Sequence, residues 1–178
     1  MSDVQIKKVT VIGAGNMGRA IAQEFGQKGF LATLVGRSRE KTDQALEQFK
    51  SSLGRLVELE LIHKDSVEPT LGRINTSIEI GESVERADLI IESIIEDLDI
   101  KKDLFRTVEK ACSPQAIIAT NTSSIVPSLL ADAFHEQSRF LVTDYFNLPY
   151  LMPLVEHVHG PKTTAENMDR MEKLYIAV

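Results

Sequence analysis

The chain has 178 residues, 43% of them hydrophobic and 26% charged, the size and balance of one domain able to bury a core. Lys and Arg number 20 against 26 Asp and Glu, for a net charge of -6 and a pI near 5.3. That charge excludes a general binder of nucleic acid or of anionic membranes, which needs a basic footprint. The single Cys112 excludes a disulfide framework or a multi-cysteine metal centre. No pair among His63, His135, His157 and His159 stands with a carboxylate at ligand spacing, so no metal is expected. No apolar run approaches the roughly 18 residues of a membrane span. The first residues run straight into a strand pattern with no room for a signal peptide, and a cytoplasmic location is the expectation.

Residues 8–12, Lys-Val-Thr-Val-Ile, read as a buried parallel strand. A glycine-punctuated turn over 13–18 follows, then a helix over 19–28 and a second strand over 30–35. Ser38 is placed as the N-cap of a long amphipathic helix reaching about Leu61, with Leu46, Phe49, Leu53, Leu56 and Val57 at helical spacing. A second helix starting near 65 or 66 would complete a helical hairpin. Strands are expected over 73–78, 88–92, 116–120, 139–146 and 154–159. Helices are expected over 83–86, 99–112, 126–133 and 164–177. Alternating strands and helices imply βαβ units with right-handed crossovers, hence an α/β fold, doubly wound around a mostly parallel sheet. No repeat, low-complexity stretch or linker interrupts it, so residues 1–178 are expected to be one domain.

The sharpest local signal is Gly13-Ala14-Gly15-Asn16-Met17-Gly18. Gly13 permits the tight turn, Gly15 lets a pyrophosphate approach the backbone, and Gly18 lets helix and strand pack closely. The loop follows a strand and opens a helix, the context a Rossmann-type dinucleotide site requires. NAD-binding units usually place Asp or Glu at the end of the second strand to hold the ribose 2′-OH. Here the sequence reads Val35-Gly36-Arg37-Ser38-Arg39. The missing carboxylate removes repulsion of a 2′-phosphate, and the Arg37 fork is suited to bind one. These residues favour NADP.

Several downstream segments carry a resemblance that covers the chain from about Lys7 onward. They are Val-Ile-Gly-Ala-Gly-Asn-Met-Gly, the long helix after the second strand, Ala87-Asp-Leu-Ile-Ile-Glu92-Ser-Ile-Ile-Glu96-Asp, Asn121-Thr-Ser-Ser124, and Phe146-Asn147 with Pro153-Leu-Val-Glu156. Together they resemble the N-terminal, nucleotide-binding domain of the L-3-hydroxyacyl-CoA dehydrogenases. The resemblance implies oxidation of a secondary alcohol in fatty acid metabolism, with hydride passing to a nicotinamide cofactor, for which the family prefers NAD. It implies that Ser123 bonds the substrate oxygen, that Glu156 orients the catalytic base, and that Glu96, Lys101, Asn121 and Asn147 border the cofactor. It implies a small-molecule substrate, a CoA thioester among the candidates. It also implies a further helical domain, absent from this chain, that completes the cleft and much of a homodimer interface.

Three departures qualify it. The family's base is a His in a segment similar to His-Phe-Phe-Asn-Pro, and here Asp144-Tyr-Phe-Asn147-Leu148 stands in its place. An Asp ordinarily titrates far below neutrality and is a weak base there unless a neighbour assists. Glu156 facing Asp144 would let the pair hold one proton between them. The long helix ends Val57-Glu-Leu-Glu-Leu61, where the family commonly carries a Lys near CoA phosphates, although Ser52 matches a family Ser near that moiety. Arg37 conflicts with the family's use of NAD. Two further readings therefore remain: a degenerate dinucleotide-binding module, and a dehydrogenase of a non-CoA hydroxy acid.

Overall fold

The computed structural model describes residues 6–152 and 154–177; Pro153 and Val178, which the resemblance includes, lie outside the described residues. The strands are β1 (Lys8–Ile12), β2 (Leu31–Val35), β3 (Ile74–Ser77), β4 (Leu89–Glu92), β5 (Ile117–Thr120), β6 (Phe140–Tyr145) and β7 (Val155–His159). They form one sheet in the order β3-β2-β1-β4-β5-β6-β7. The first six run parallel and β7 runs antiparallel to β6. The helices are α1 (Asn16–Gln27), α2 (Arg39–Glu58), α3 (Val67–Leu71), α4 (Ile80–Glu85), α5 (Leu98–Ala111), α6 (Pro127–Ala131) and α7 (Ala165–Ala177).

Every residue of β4 and β5 is buried, as expected of strands covered on both faces. Successive side chains alternate between faces. Val9, Val11, Leu89, Ile91, Ile117 and Ala119 pack with Phe25 of α1, Phe49 of α2 and Met171 of α7. Ile12, Ile90, Ile118 and Phe140 pack on the other side with Val84 of α4, Phe105 and Val108 of α5, and Leu130 of α6. The sheet is thus doubly wound, and its strand order reverses between β1 and β4. Ligands of such sheets bind in the crevice at that reversal, beyond the carboxyl ends of the strands.

Ser38 caps α2 as expected, its Oγ accepting from the Lys41 N–H at 3.3 Å. Some boundaries differ from expectation for local reasons. Gly15 is the N-cap of α1, so that helix starts at Asn16, three residues before Arg19. The α2 helix stops at Glu58 rather than near Leu61, because Glu60 takes a left-handed backbone, φ 58°, that no right-handed helix contains. The expected hairpin is unequal: 20 residues of α2 return through a 3-10 turn and the five residues of α3. In α7, Met171 and Leu174 are buried and Ile176 is 80% exposed.

One buried group carries a pH dependence. Glu24 of α1 is 8% exposed and its Oε2 has no hydrogen-bond partner among the described residues. Burial pushes its pKa up to about 7, against a smaller opposing pull from Lys28. Between the ordinary carboxylate range and pH 7 the folded state therefore holds a proton that the unfolded chain releases, so stability falls as pH rises through that window. Denaturant titrations at pH 5 and pH 8 should differ by up to roughly 3 kcal/mol from this group, each pH unit being worth about 1.4 kcal/mol. Glu24→Gln should remove that difference; an unchanged pH slope in the variant would contradict it.

Candidate functional site

The loops leaving β1, β2, β4, β5 and β6 meet at the carboxyl end of the sheet. Gly13 has φ +121°, and a Cβ built there would lie 2.2 Å from the Ser93 carbonyl oxygen. A Cβ on Gly18 would lie 1.8 Å from the Gly13 carbonyl oxygen. Protein backbone therefore closes both positions. A Cβ on Gly15 would meet nothing within 4 Å: this glycine opens onto free space. It stands at the start of α1, whose first turn holds no acidic residue and whose amides receive no side-chain cap. Uncapped amides and the positive end of the helix dipole suit a phosphate, so the residues fit a dinucleotide. The Asn16 Oδ1 accepts from the Arg19 guanidinium at 2.9 Å, and Met17 packs against the core beneath. Arg37, exposed just beyond β2, pairs with no acid among the described residues.

Beneath the crevice lies a buried polar hub. Glu92, fully buried at the end of β4, accepts from the Lys101 ammonium at 2.6 Å and from the Ile94 N–H at 2.7 Å, and its second oxygen accepts from Thr120 at 2.5 Å. Lys101, on α5, is 1% exposed and also reaches Glu96 at 3.2 Å. Asp97 caps α5 and fixes the entry angle of that helix, its Oδ1 accepting from the Ile100 N–H at 3.0 Å. Glu96 accepts from the hydroxyls of Thr122 and Ser124 and from the Ser124 N–H. Partial burial would raise the Glu96 pKa, but those hydrogen bonds and the Lys101 charge together hold it below the usual carboxylate range. The hub fixes the loops after β4 and β5 against each other.

At the ends of β5 and β6, the Ser123 Oγ donates to the Asp144 Oδ1 at 2.9 Å. Asp144 and Glu156 are register partners across the β6–β7 pair. Asn121 accepts the Tyr145 N–H at 2.9 Å through its Oδ1, which clamps the loop after β5 to β6. Asn147 is exposed on the loop beyond β6. His157 points away from this group, as alternation requires. It lies against Tyr175, 4.5 Å between ring centroids, with neither ring nitrogen hydrogen-bonded among the described residues.

The profile described as "3-hydroxyacyl-CoA dehydrogenase, NAD binding domain" matches residues 8–178. The chain belongs to this family as its NAD-binding domain. It is 33% identical over 173 residues to the mitochondrial hydroxyacyl-coenzyme A dehydrogenase of Sus scrofa, covering 94% of this chain and 55% of that protein. It is 36% identical over 159 residues to a probable 3-hydroxybutyryl-CoA dehydrogenase of Deinococcus radiodurans, covering 89% and 56%. Among solved structures, 3-hydroxybutyryl-CoA dehydrogenase from Escherichia coli superposes with a TM-score of 0.93 at 32% identity, over 98% of this chain and 37% of that one. The chain spans little more than half the length of the curated relatives it matches.

Within this NAD-binding domain the structure sorts the residues singled out in the sequence. Gly13, Gly15, Asn16, Met17 and Gly18 form the expected loop, and Ser123, Asp144 and Glu156 come together. Lys101 differs from expectation: its ammonium is buried on Glu92 and Glu96, so it positions the loop rather than bordering the crevice directly. Asn121 likewise commits its oxygen to Tyr145. Sequence reasoning passed over Glu92, Thr120, Thr122 and Ser124. A carboxylate ending the otherwise apolar run Leu-Ile-Ile-Glu, with a Lys nine residues later, was the available signal for the first of these.

The glycines separate stability from binding. Gly18→Ala should lower the denaturation midpoint sharply, because backbone has to move to admit the methyl group. Gly15→Ala should fold as the wild type and lose dinucleotide binding, because its methyl group enters the space a phosphate needs. Paired thermal melts and NADH titrations check both; a Gly15→Ala domain binding at full strength would place the phosphates elsewhere.

Proposed function

We propose that this domain binds NAD(P) and serves the oxidation of the secondary alcohol of a 3-hydroxyacyl substrate. The observation that carries the reading is Ser123 hydrogen-bonded to Asp144 at 2.9 Å, with Glu156 opposite on the neighbouring strand, at the crevice the open Gly15 adjoins. A bound nicotinamide supplies the hydride acceptor. Ser123 holds the substrate hydroxyl against Asp144, Asp144 takes its proton, and Glu156 stands opposite Asp144 across the strand pair. The related enzymes are named for CoA thioesters, and a 3-hydroxyacyl-CoA is the proposed substrate class. A helical domain beyond this one, or a second copy, would complete the substrate cleft.

Asp144 also favours a second reading, a dinucleotide-binding module with impaired chemistry, because an Asp is a weak base at neutral pH. Asp144→Asn separates the two. If Asp144 is the base, oxidation of 3-hydroxybutyryl-CoA should fall by about 100-fold in the variant, with dinucleotide binding intact, and Asp144→His should raise the rate above wild type. Rates unaffected by either change would leave the binding module.

For the cofactor, Arg37 supports NADP: it is exposed, without an acid partner among the described residues, just beyond a strand that carries no carboxylate. In fluorescence titrations NADPH should bind about tenfold more tightly than NADH, the worth of one charge-assisted contact, and Arg37→Ala should equalise them. Tighter binding of NADH by the wild type would assign the domain to NAD.

A further inference from the structure

Asp144 stands where the sheet runs out of support. The ladder between β5 and β6 ends at the Thr120–Val142 pair, two residues short of it. On its other side β7 is the edge of the sheet among the described residues. The loop beyond begins at Phe146, which is 41% exposed. Tyr145 lies between, and it is anchored twice. Its N–H donates to the Asn121 Oδ1 at 2.9 Å. Its hydroxyl is hydrogen-bonded to the Tyr175 hydroxyl of α7, with the ring centroids 5.8 Å apart and the planes at 67°. Alternation turns Tyr145 to the face of the sheet opposite Asp144, into the core that holds Met171 of α7.

Tyr175 is itself held in place. His157 of β7 packs on its ring at 4.5 Å, and Phe25 of α1 contacts it edge-on at 6.4 Å. Burial pushes the pKa of both phenols up, so the bond between them stays neutral. The segment that carries Asp144 in place of the family's His also carries Tyr145 in place of its Phe. The two exchanges belong together physically. A carboxyl on one methylene sits closer to its own backbone than an imidazole does, so its reach toward a substrate follows the backbone more directly. The tyrosine beside it brings a hydroxyl that a phenylalanine lacks, and with it a tie to α7.

We propose that Tyr175 is a positioning residue: through the Tyr145 hydroxyl it fixes the stretch of backbone from which Asp144 meets Ser123. The proposal rests on the reading of Asp144 as the base. Tyr175 acts from the face of the sheet opposite Asp144, and Asn121 and Tyr175 hold Tyr145 from two directions where the strand ladder no longer does.

Tyr175→Phe tests it by removing the bond while leaving both rings in place. In oxidation of 3-hydroxybutyryl-CoA its kcat should fall about tenfold with KM within about twofold of wild type, the signature of a misplaced group. Affinities for NADH and NADPH should stay within about twofold. Tyr145→Phe should cost the same, and the double variant no more than either, because a single bond is lost in all three. Amide spectra of the wild type and Tyr175→Phe give a readout that needs no turnover: the Ser123 and Asp144 resonances should shift while those of residues 13–18 stay. The proposal is overturned if kcat holds while only the melting temperature drops, or if KM rises in place of the fall in kcat. It is also overturned if the two losses multiply in the double variant, or if the Ser123 and Asp144 resonances do not move. Failure of both single variants to fold would overturn it too, since the bond would then hold the domain together rather than place one residue. A wild type that turns over no substrate defeats the functional reading by itself, and the spectra then decide the positioning alone.

Discussion

The carboxylate of Glu92 is the constraint on which the crevice depends. It is shut away from water at the end of a fully buried strand, and three donors from different parts of the chain converge on it. Leaving either member of a buried ion pair alone typically costs about 3–5 kcal/mol, so the arrangement strongly disfavours alternatives. Lys101 brings α5 to β4, Thr120 ties β5 to both, and the second contact of Lys101 passes the order on to Glu96 and thence to Thr122 and Ser124. Ser123, between those two residues, meets Asp144 in a fixed place because its neighbours cannot wander.

Much of this frame was legible in the chain, and the reasons are local. A run such as Lys-Val-Thr-Val-Ile followed by three spaced glycines encodes its strand, turn and helix within a dozen residues, and the structure gives each glycine a separate steric task. The cap at Ser38 is equally local. What stayed hidden depends on partners far away in sequence. Lys101 is the exception: its two carboxylates stand nine and five residues before it, and only the closing of that loop onto α5 buries its ammonium. Asn121 reads as turn chemistry until Tyr145 is found 24 positions on. The meeting of Ser52 with Tyr150 spans more than half the chain.

Family membership and local chemistry answer different questions about this domain. The scaffold fixes where a dinucleotide would lie. At Asp144 and Arg37 the sequence departs from the family's habit. A fold tolerates such changes because exposed or half-buried positions at strand ends carry little of its stability.

The reversal at β7 sets where the final helix arrives. Because that strand runs back toward the far end of the sheet, α7 starts there, with the Thr164 N–H on the Ser138 carbonyl, and climbs until Tyr175 meets Tyr145, the residue after Asp144. One residue inserted into that helix would turn Tyr175 by about 100° away from its mate. The helix length is therefore a ruler for the neighbourhood of Asp144, held in register from the opposite pole of the domain.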